Sequence, residues 1–283
     1  MAFHKIKEYI TTADGSPGAL LIPRLIMPTL IDAVDKALVP RELAAWVKTG
    51  FEGSDFRVNL VTPTYLRIRT IAEGAELPLD AAAFTSITFA PRKYGVAIRI
   101  TREMMEDSQF DILQANLREV GRRFAENETS LILTALDGAA NTVTGGASIT
   151  IANIATAILN VHNNDFKATD FLIGNEVLQD LQNIDTFVEA NKAGNTELMS
   201  TGFIGNIFGM RVNLFSTNAA PTTTYARYGY VFDRTQAYGI AIKRDITVEN
   251  FNLPTFDMEG AAITQRIAVA ALRTAAISLI TTT

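Results

Sequence analysis

Residues 84–128 read FTSITFAPRKYGVAIRITREMMEDSQFDILQANLREVGRRFAENE, and two hydrophobic periods follow one another within them. From Thr85 to Ile100 apolar side chains alternate with polar ones, which is the pattern of a strand with one buried face. The apolar residues predicted to share that face are Tyr94, Val96, Ile98 and Ile100. The stretch therefore predicts a strand that leads into a short separate turn, TREMMED, capped by Thr101.

A long amphipathic helix is predicted next, from Ser108 to Leu136. Apolar residues recur there at spacings of three and four, with Arg and Glu between them. The stripe predicted to face the core consists of Phe110, Leu113, Leu117, Val120 and Phe124. Ser108 and Asp111 form an acidic variant of the capping box, and Asp137-Gly138 stops the helix. A helix of this length spans about 42 Å, so we expect it to be a backbone to which other elements attach.

Upstream of this stretch, residues 56–72 also alternate, while AEGAELPLDAAA over residues 72–83 has no period. Two extended arms joined by such a tip predict a long hairpin. The arms are basic and the tip is acidic. The basic residues of 56–102 are Arg57, Arg67, Arg69, Arg92, Lys93, Arg99 and Arg102, against Glu73, Glu76 and Asp80.

This division of charge indicates a projection that docks on a charged neighbour. We therefore expect Arg67, Arg69, Glu73 and Glu76 to make contacts between subunits. The alternative is an ordinary solvated hairpin.

The rest of the chain alternates short helices and strands. Helices are predicted over 151–161 and 176–184, and strands over 171–175, 210–215, 228–232, 238–244 and 246–251. The Ala-rich stretch 261–280 is ambiguous, because its composition favours a helix while Ile267, Val269 and Ala271 alternate as in a strand. Residues 1 to about 19 are polar, with a flexible break at Gly15-Ser16-Pro17-Gly18, which predicts an arm.

Composition excludes several classes of protein. The chain has 283 residues, no cysteine, two histidines and a net charge of −5. A dedicated nucleic-acid binder needs a surplus of Lys and Arg, which is missing here. No apolar run is long enough for a membrane span, and the N-terminus lacks the apolar core of a signal peptide. A cytoplasmic protein is the default expectation.

A search for catalytic chemistry yields no constellation of residues, so we expect no enzyme, no cofactor and no metal. His4 and His162 are too few for a multi-His site, and His162 is interpreted as a surface residue near a helix end. The glycines of GFIGNIFG over 202–209 lack the spacing of phosphate-binding loops. The carboxylates of 103–107 and 126–128 are interpreted as charged helix ends and faces.

The order of these motifs resembles the tailed-bacteriophage major capsid protein family. The similarity is carried by ALLIPRLIMPTLIDAV at 19–34, by residues 84–128, by FLIGNEVLQDLQNI at 171–184 and by GFIGNIFGMRVNLF at 202–215. It covers nearly the whole chain. It implies an α+β Hong Kong ninety-seven-like capsid fold with an N-arm, an extended β-hairpin loop, a long spine helix, and peripheral and axial domains.

The resemblance also implies how the chain is divided. Residues 1–50 would be the N-terminal arm and residues 51–98 the extended loop. Residues 99–145 would be the peripheral domain with the spine helix, and 146–230 the axial domain. Residues 231–283 would be axial strands returning to the peripheral domain, which replaces the helix that the alanine content of 261–280 favours.

The function implied is that of a major capsid protein, which self-assembles into hexamers and pentamers of an icosahedral shell around the double-stranded DNA of a tailed virus. Its expected partners are copies of itself, a portal, a decoration protein and a separate scaffolding protein, since little sequence precedes the IP segment. The DNA would be enclosed without sequence-specific binding. The expected location is the virion, after assembly in the host cytoplasm.

Two further expectations qualify this function. Some members of the family cross-link the shell through a lysine of the extended loop, but residues 56–91 contain no lysine and Lys93 lies at the base. We therefore predict a shell without that cross-link. The alternative function is an encapsulin-type nanocompartment around a cargo enzyme, and an enzyme of mixed α/β fold is the third hypothesis. The polar arm and long loop favour the virus.

Overall fold

The computed structural model describes the chain from Val39 onward in several stretches. These are residues 39–62, 68–76, 83–101, 103–104, 112–184, 205–215 and 223–282. Within them the strands form three sheets, of two, four and six strands. Most of the arm predicted for residues 1–50 lies outside the described residues.

The predicted hairpin is present, but its first arm is shorter than the predicted 56–72, since its strand ends at Thr62 and the described residues 68–72 form no strand. Strand β2 (Phe56–Thr62) pairs antiparallel with strand β3 (Ala83–Phe89), and the pairing runs from Phe56 opposite Phe89 to Thr62 opposite Ala83. Phe56, Val58 and Leu60 are half-buried, whereas Arg57 and Asn59 are exposed, as the alternation predicts. We call β2 and β3 together the hairpin. Its base is the end at Phe56 and Phe89.

The four-stranded sheet is built from both ends of the sequence. Its members are β1 (Trp46–Thr49), β4 (Arg92–Thr101), β10 (Tyr238–Leu253) and β11 (Met258–Ala271), numbered with the other strands in chain order. Across the sheet their order is β1-β10-β11-β4. The predicted strand from Thr85 to Ile100 is thus divided between two sheets. It breaks at Ala90-Pro91 because proline has no N–H to donate to a ladder.

The Ala-rich C-terminal stretch forms strands, as the resemblance implied and against its composition. Strand β11 lies between β10 and β4 and pairs antiparallel with both, and strand β12 (Ile277–Thr281) follows it. Helix propensity is a weak preference of under about 1 kcal/mol per residue. The pairing of β11 on both sides, together with its burial, outweighs that preference.

The first two helices that the structure describes are in contact with each other. Helix α1 is Val39–Glu42, and helix α2 is Ile112–Leu136, 25 residues long. By its length α2 spans about 37 Å. It ends where Asp137-Gly138 predicted, with the Asp137 N–H donating to the Leu133 carbonyl at 2.9 Å. Its predicted start at Ser108 lies outside the described residues.

One face of the four-stranded sheet packs against α2. Leu117, Val120 and Phe124 of the predicted stripe are buried there, at 1%, 8% and 5% exposure, against Ile246, Ala261 and Ile263. Phe110 and the side chain of Leu113 lie outside the described residues. The opposite face of the same sheet carries the base of the hairpin, where Phe89 packs against Ala241 and Ala268.

The six-stranded sheet makes the second half of the molecule. Its strands, with β12, are β5 (Asn141–Thr144), β6 (Asp170–Ile173), β7 (Asn206–Ile207), β8 (Met210–Leu214) and β9 (Tyr228–Phe232), in the order β5-β12-β9-β6-β8-β7. Helices α3 (Ile151–His162) and α4 (Asn175–Gln182) pack on it. Both helices were predicted. His162 is exposed in the last turn of α3, as interpreted.

The end of α2 joins the two larger sheets into one core. Ile132, Leu133 and Leu136 are fully buried among side chains of both sheets, including Tyr230 of β9 and Ile267 of β11. The closing strands are shared between the two sheets. β10 and β11 pack against α2, whereas β12 pairs with β5 and β9 in the six-stranded sheet.

Candidate assembly surfaces

The described residues contain no cluster of three or more His, Asp or Glu side chains that would hold a metal ion. None of the described helices is both long enough and apolar enough to cross a membrane. The polar groups that stand out are instead buried at junctions between elements, and the apolar groups that stand out are exposed on the hairpin. The buried polar groups hold elements of the subunit together, whereas the exposed apolar groups are candidates for contacts with other molecules.

The interpretation of Glu128 as part of a charged helix face is wrong. Glu128 lies on α2 but is only 1% exposed, because this side of the helix is turned onto the four-stranded sheet and α1. Its Oε1 lies 3.3 Å from Nε of Arg41 in α1. Burial raises the pKa of Glu128, while Arg41 and the Gln265 side chain lower it in part and Asp245 adds to the rise.

The Arg41–Glu128 ion pair therefore ties the start of the described chain to α2. Arg41 keeps 23% of its side chain exposed, whereas the Glu128 side chain keeps 2%. An ionised carboxylate at such depth needs its partner, since a lone buried charge is strongly unfavourable. The pair fixes α1 on α2. Sequence spacing carries no sign of it, because the partners are far apart along the chain.

A second buried polar group lies where α2 ends. The hydroxyl of Tyr230 donates to Oδ1 of Asp137 at 2.7 Å, and the hydroxyl of Tyr225 donates to Oδ2 of the same carboxylate. Burial, and then the bonds to Asp137, raise the pKa of both phenols far above the ordinary value. Both tyrosines stay protonated donors, so the cluster holds the six-stranded sheet on α2 and offers no nucleophile.

The hairpin is attached near its base and along one edge. Trp46 and Phe56 stack edge to face, with ring centroids 5.7 Å apart, and Phe89 packs beside them. Nη2 of Arg273 donates to the Val61 carbonyl at 3.3 Å, and Lys243 donates to the Gly53 carbonyl. These contacts hold the hairpin against the subunit from Phe56 as far as Val61.

The outer face of the hairpin becomes apolar toward its far end. Near the base the opposed pairs are polar, with Arg57 across from Thr88. At the far end Val61 lies opposite Phe84, and these side chains are 43% and 67% exposed. Ile68 beyond them is fully exposed. Exposed apolar side chains that lie side by side, as those of Val61 and Phe84 do, mark a candidate interaction surface.

The residues predicted to contact other subunits follow Val61 in the chain. Arg69, Glu73 and Glu76 are exposed, and Arg67 lies outside the described residues. The Ala75 N–H closes a turn onto the Ala72 carbonyl at 3.0 Å, with Glu73 inside the turn and Glu76 directly after it. In the part of the chain that the structure describes, neither glutamate forms an ion pair.

Known proteins share this architecture. A family model described as phage capsid protein matches residues 84–278, well over half of the chain. The capsid of cyanophage P-SCSP1u superposes with a TM-score of 0.69 at 14% identity, covering 87% of this chain and 88% of that chain. A chain of Microbacterium phage Oxtober96 gives 0.65 at 17% identity, covering 87% and 91%.

A virus-like particle from Pyrococcus furiosus gives a TM-score of 0.60 at 15% identity, covering 89% of this chain and 96% of that chain. No curated protein matches the sequence. At such identities the structural likenesses show the fold, which is the α+β Hong Kong ninety-seven-like capsid fold that the sequence resemblance implied.

Proposed function

The chain belongs to the phage capsid protein family, and from this premise we propose that it builds the hexamers and pentamers of an icosahedral shell around the double-stranded DNA of a tailed phage. The observation that carries the proposal is the hairpin. Its outer face exposes Val61 and Phe84 at the far end, and an element that leaves apolar surface uncovered in its own subunit is completed by a neighbour.

The proposal assigns a role to each part of the chain. Residues 1–50 are the N-terminal arm, 51–98 the extended loop, 99–145 the peripheral domain with α2 as spine helix, and 146–230 the axial domain. Residues 231–283 are axial strands that return to the peripheral domain. The two larger sheets support this division, because the four-stranded sheet packs on α2, whereas α3 and α4 pack on the six-stranded sheet.

Further partners belong to the same proposal. A portal, a separate scaffolding protein and a decoration protein would act on the shell, which assembles in the host cytoplasm and becomes part of the virion. The protein has a structural role and no catalytic one. The buried Glu128 and the partly buried Asp137 support this role, since both carboxylates are engaged by groups of the same subunit.

Electron microscopy of the purified protein, with absorbance at 260 and 280 nm recorded on the same particles, tests the proposal. We expect closed icosahedral shells, with nucleic acid in particles taken from infected cells. Protein that stays monomeric when co-expressed with neighbouring viral genes would overturn it. Shells that contain a cargo enzyme and no nucleic acid would indicate an encapsulin-type compartment instead.

A further inference from the structure

Three cationic side chains lie side by side across the four-stranded sheet. In the register of the sheet, Lys93 of β4 is opposite Arg266 of β11, and Arg266 is opposite Arg244 of β10. We call these three residues the cationic row. Neighbouring strands are about 4.8 Å apart, so three positive charges share a strip about 10 Å long. Like charges placed directly across a ladder repel one another.

The cationic row lies on the face that is turned away from α2. Gln265 and Ile267, the neighbours of Arg266 in β11, face α2, since Gln265 lies beside Glu128 and Ile267 packs with the end of that helix. Successive side chains of a strand point to opposite faces. Arg266 therefore points to the face on which the base of the hairpin packs against Ala268.

The described residues do not neutralise the row. Neither Lys93 nor Arg266 forms a side-chain hydrogen bond or an ion pair with any of them. Nη2 of Arg244 donates to the Thr264 hydroxyl at 2.9 Å, but Nε of Arg244 and Nε of Arg266 are buried without a hydrogen-bond partner in the described chain. A buried donor of this kind is ordinarily completed by a bound water or ion.

Two carboxylates of β10 come near the row in the sequence, and both are directed elsewhere. Asp245, next to Arg244, accepts from a main-chain N–H at 2.8 Å, and its charge acts on Glu128 on the α2 side of the sheet. Glu249 is five positions from Arg244 and lies opposite Ala262. The strip around the row is therefore positively charged.

A pair of hydroxyl groups borders the row on the same face. Thr264 precedes Arg266 by two positions, and its Oγ1 lies 3.1 Å from Oγ1 of Thr247 in β10. The Thr247 hydroxyl donates to the Thr264 carbonyl at 3.2 Å, so the Thr264 hydroxyl is the one free to turn to a ligand. Gly95, opposite Thr264 in β4, is exposed and has no side chain to cover that hydroxyl.

We propose that the cationic row is a binding site for a dianionic phosphate, either free orthophosphate or the phosphate of a phosphomonoester. Such a group carries about two negative charges and three strong acceptor oxygens. Guanidinium groups match these oxygens in paired hydrogen bonds, and the Lys93 ammonium adds a third cation. A phosphodiester, with a single charge, balances the row less well.

The site goes beyond the proposed function and does not depend on it. All three cations and the Thr264 hydroxyl belong to one copy of the chain, so binding needs neither assembly nor a neighbour. A chain that binds phosphate without forming shells would keep this inference and lose the proposed function.

Titration of the purified full chain with sodium orthophosphate tests the site. Isothermal calorimetry measures the affinity in a phosphate-free buffer, with ionic strength held constant by sodium chloride because salt screens surface charge. We expect saturable binding of one phosphate per chain. Lys93→Gln and Arg266→Gln should each weaken it about tenfold, since each removes a charge-assisted contact.

Arg99→Gln is the matched control. Arg99 is exposed on β4, six positions from Lys93 and on the same face, but it lies opposite Gly260 and outside the row. Its affinity for orthophosphate should equal that of the wild type. Circular dichroism reports the folding of each variant, and Lys93→Gln, at an exposed edge position, carries the test alone if the change at half-buried Arg266 prevents folding.

Three results would overturn the proposal. The first is the absence of saturable orthophosphate binding to the wild type, and the second is an equal loss of affinity in Lys93→Gln and Arg99→Gln, which would reduce the effect to general charge. The third comes from a short oligothymidylate without a terminal phosphate. If it bound more tightly than orthophosphate and lost that binding in Lys93→Gln, the row would belong to a nucleic-acid backbone.

Discussion

The hairpin and the six-stranded sheet place their large apolar side chains differently. In the six-stranded sheet Phe171, Tyr230 and Phe232 are fully buried within the subunit. In the hairpin Phe84 is 67% exposed and Val61 43% exposed, although both occupy ordinary strand positions. One element completes its core alone, while the other leaves part of its apolar surface for a partner. The same residue types thus stabilise the subunit in one region and, under the proposed function, the assembly in the other.

The largest effect is expected in the self-contained region. Phe171→Ala removes a fully buried ring and should lower the free energy of unfolding of the subunit by about 3–5 kcal/mol. Phe124→Ala on α2 should cost a similar amount. Urea unfolding of unassembled protein measures both. A loss below about 1 kcal/mol at Phe124 would remove that face of α2 from the core.

The next largest loss in the free energy of unfolding is expected when the Arg41–Glu128 pair is broken. Arg41→Ala leaves Glu128 buried without its cation, and we expect a loss of about 3 kcal/mol in the free energy of unfolding. Arg41→Lys keeps the charge and is the matched variant, with a smaller loss. Equal losses in the two variants would mean that the shape of the arginine, rather than its charge, holds α1 on α2.

Glu128→Gln should change the pH dependence of stability. Because burial raises the pKa of Glu128 in the folded chain above its ordinary 4.5, the folded chain binds the proton more tightly than the unfolded chain. Stability contributed by this group is therefore present at low pH and is lost as pH rises from 4.5 through the raised value. The Gln variant should lack that loss. If the free energy of unfolding changed with pH by the same slope in the wild type and in the Gln variant, the raised pKa of Glu128 would be contradicted.

The smallest change in the free energy of unfolding is expected at the far end of the hairpin. A substitution there also tests most directly the contrast between the hairpin and the six-stranded sheet. Phe84→Ala should change the free energy of unfolding by less than about 0.5 kcal/mol, because the ring is exposed, yet it should lower shell yield. Phe256→Ala is a useful comparison, since Phe256 is also 67% exposed but lies in the turn between β10 and β11. Equal effects on assembly would show that exposure, not membership of the hairpin, decides the outcome.

Much of the fold could be predicted because its elements carry a local signal. The period-two alternation of 56–60 and the three-and-four spacing of Leu117, Val120 and Phe124 each report which side of an element is buried. The Ala-rich end carries a conflicting signal, and there the resemblance was needed to identify strands. The position of β12 beside β5 and β9 was not predicted, because pairing between distant strands leaves no local period.

The features of the candidate surfaces likewise fall into those with a local sequence signal and those set by contacts between distant residues. The sequence by itself determined that a basic hairpin with an acidic tip precedes a long helix, since charge and periodicity are properties of neighbouring residues. Only the tertiary structure decided that Lys93, Arg266 and Arg244 become neighbours, that Glu128 is buried against Arg41, and that Phe84 is left exposed. The physical reason is that strand register and burial depend on contacts between residues far apart in the chain, which no local pattern records.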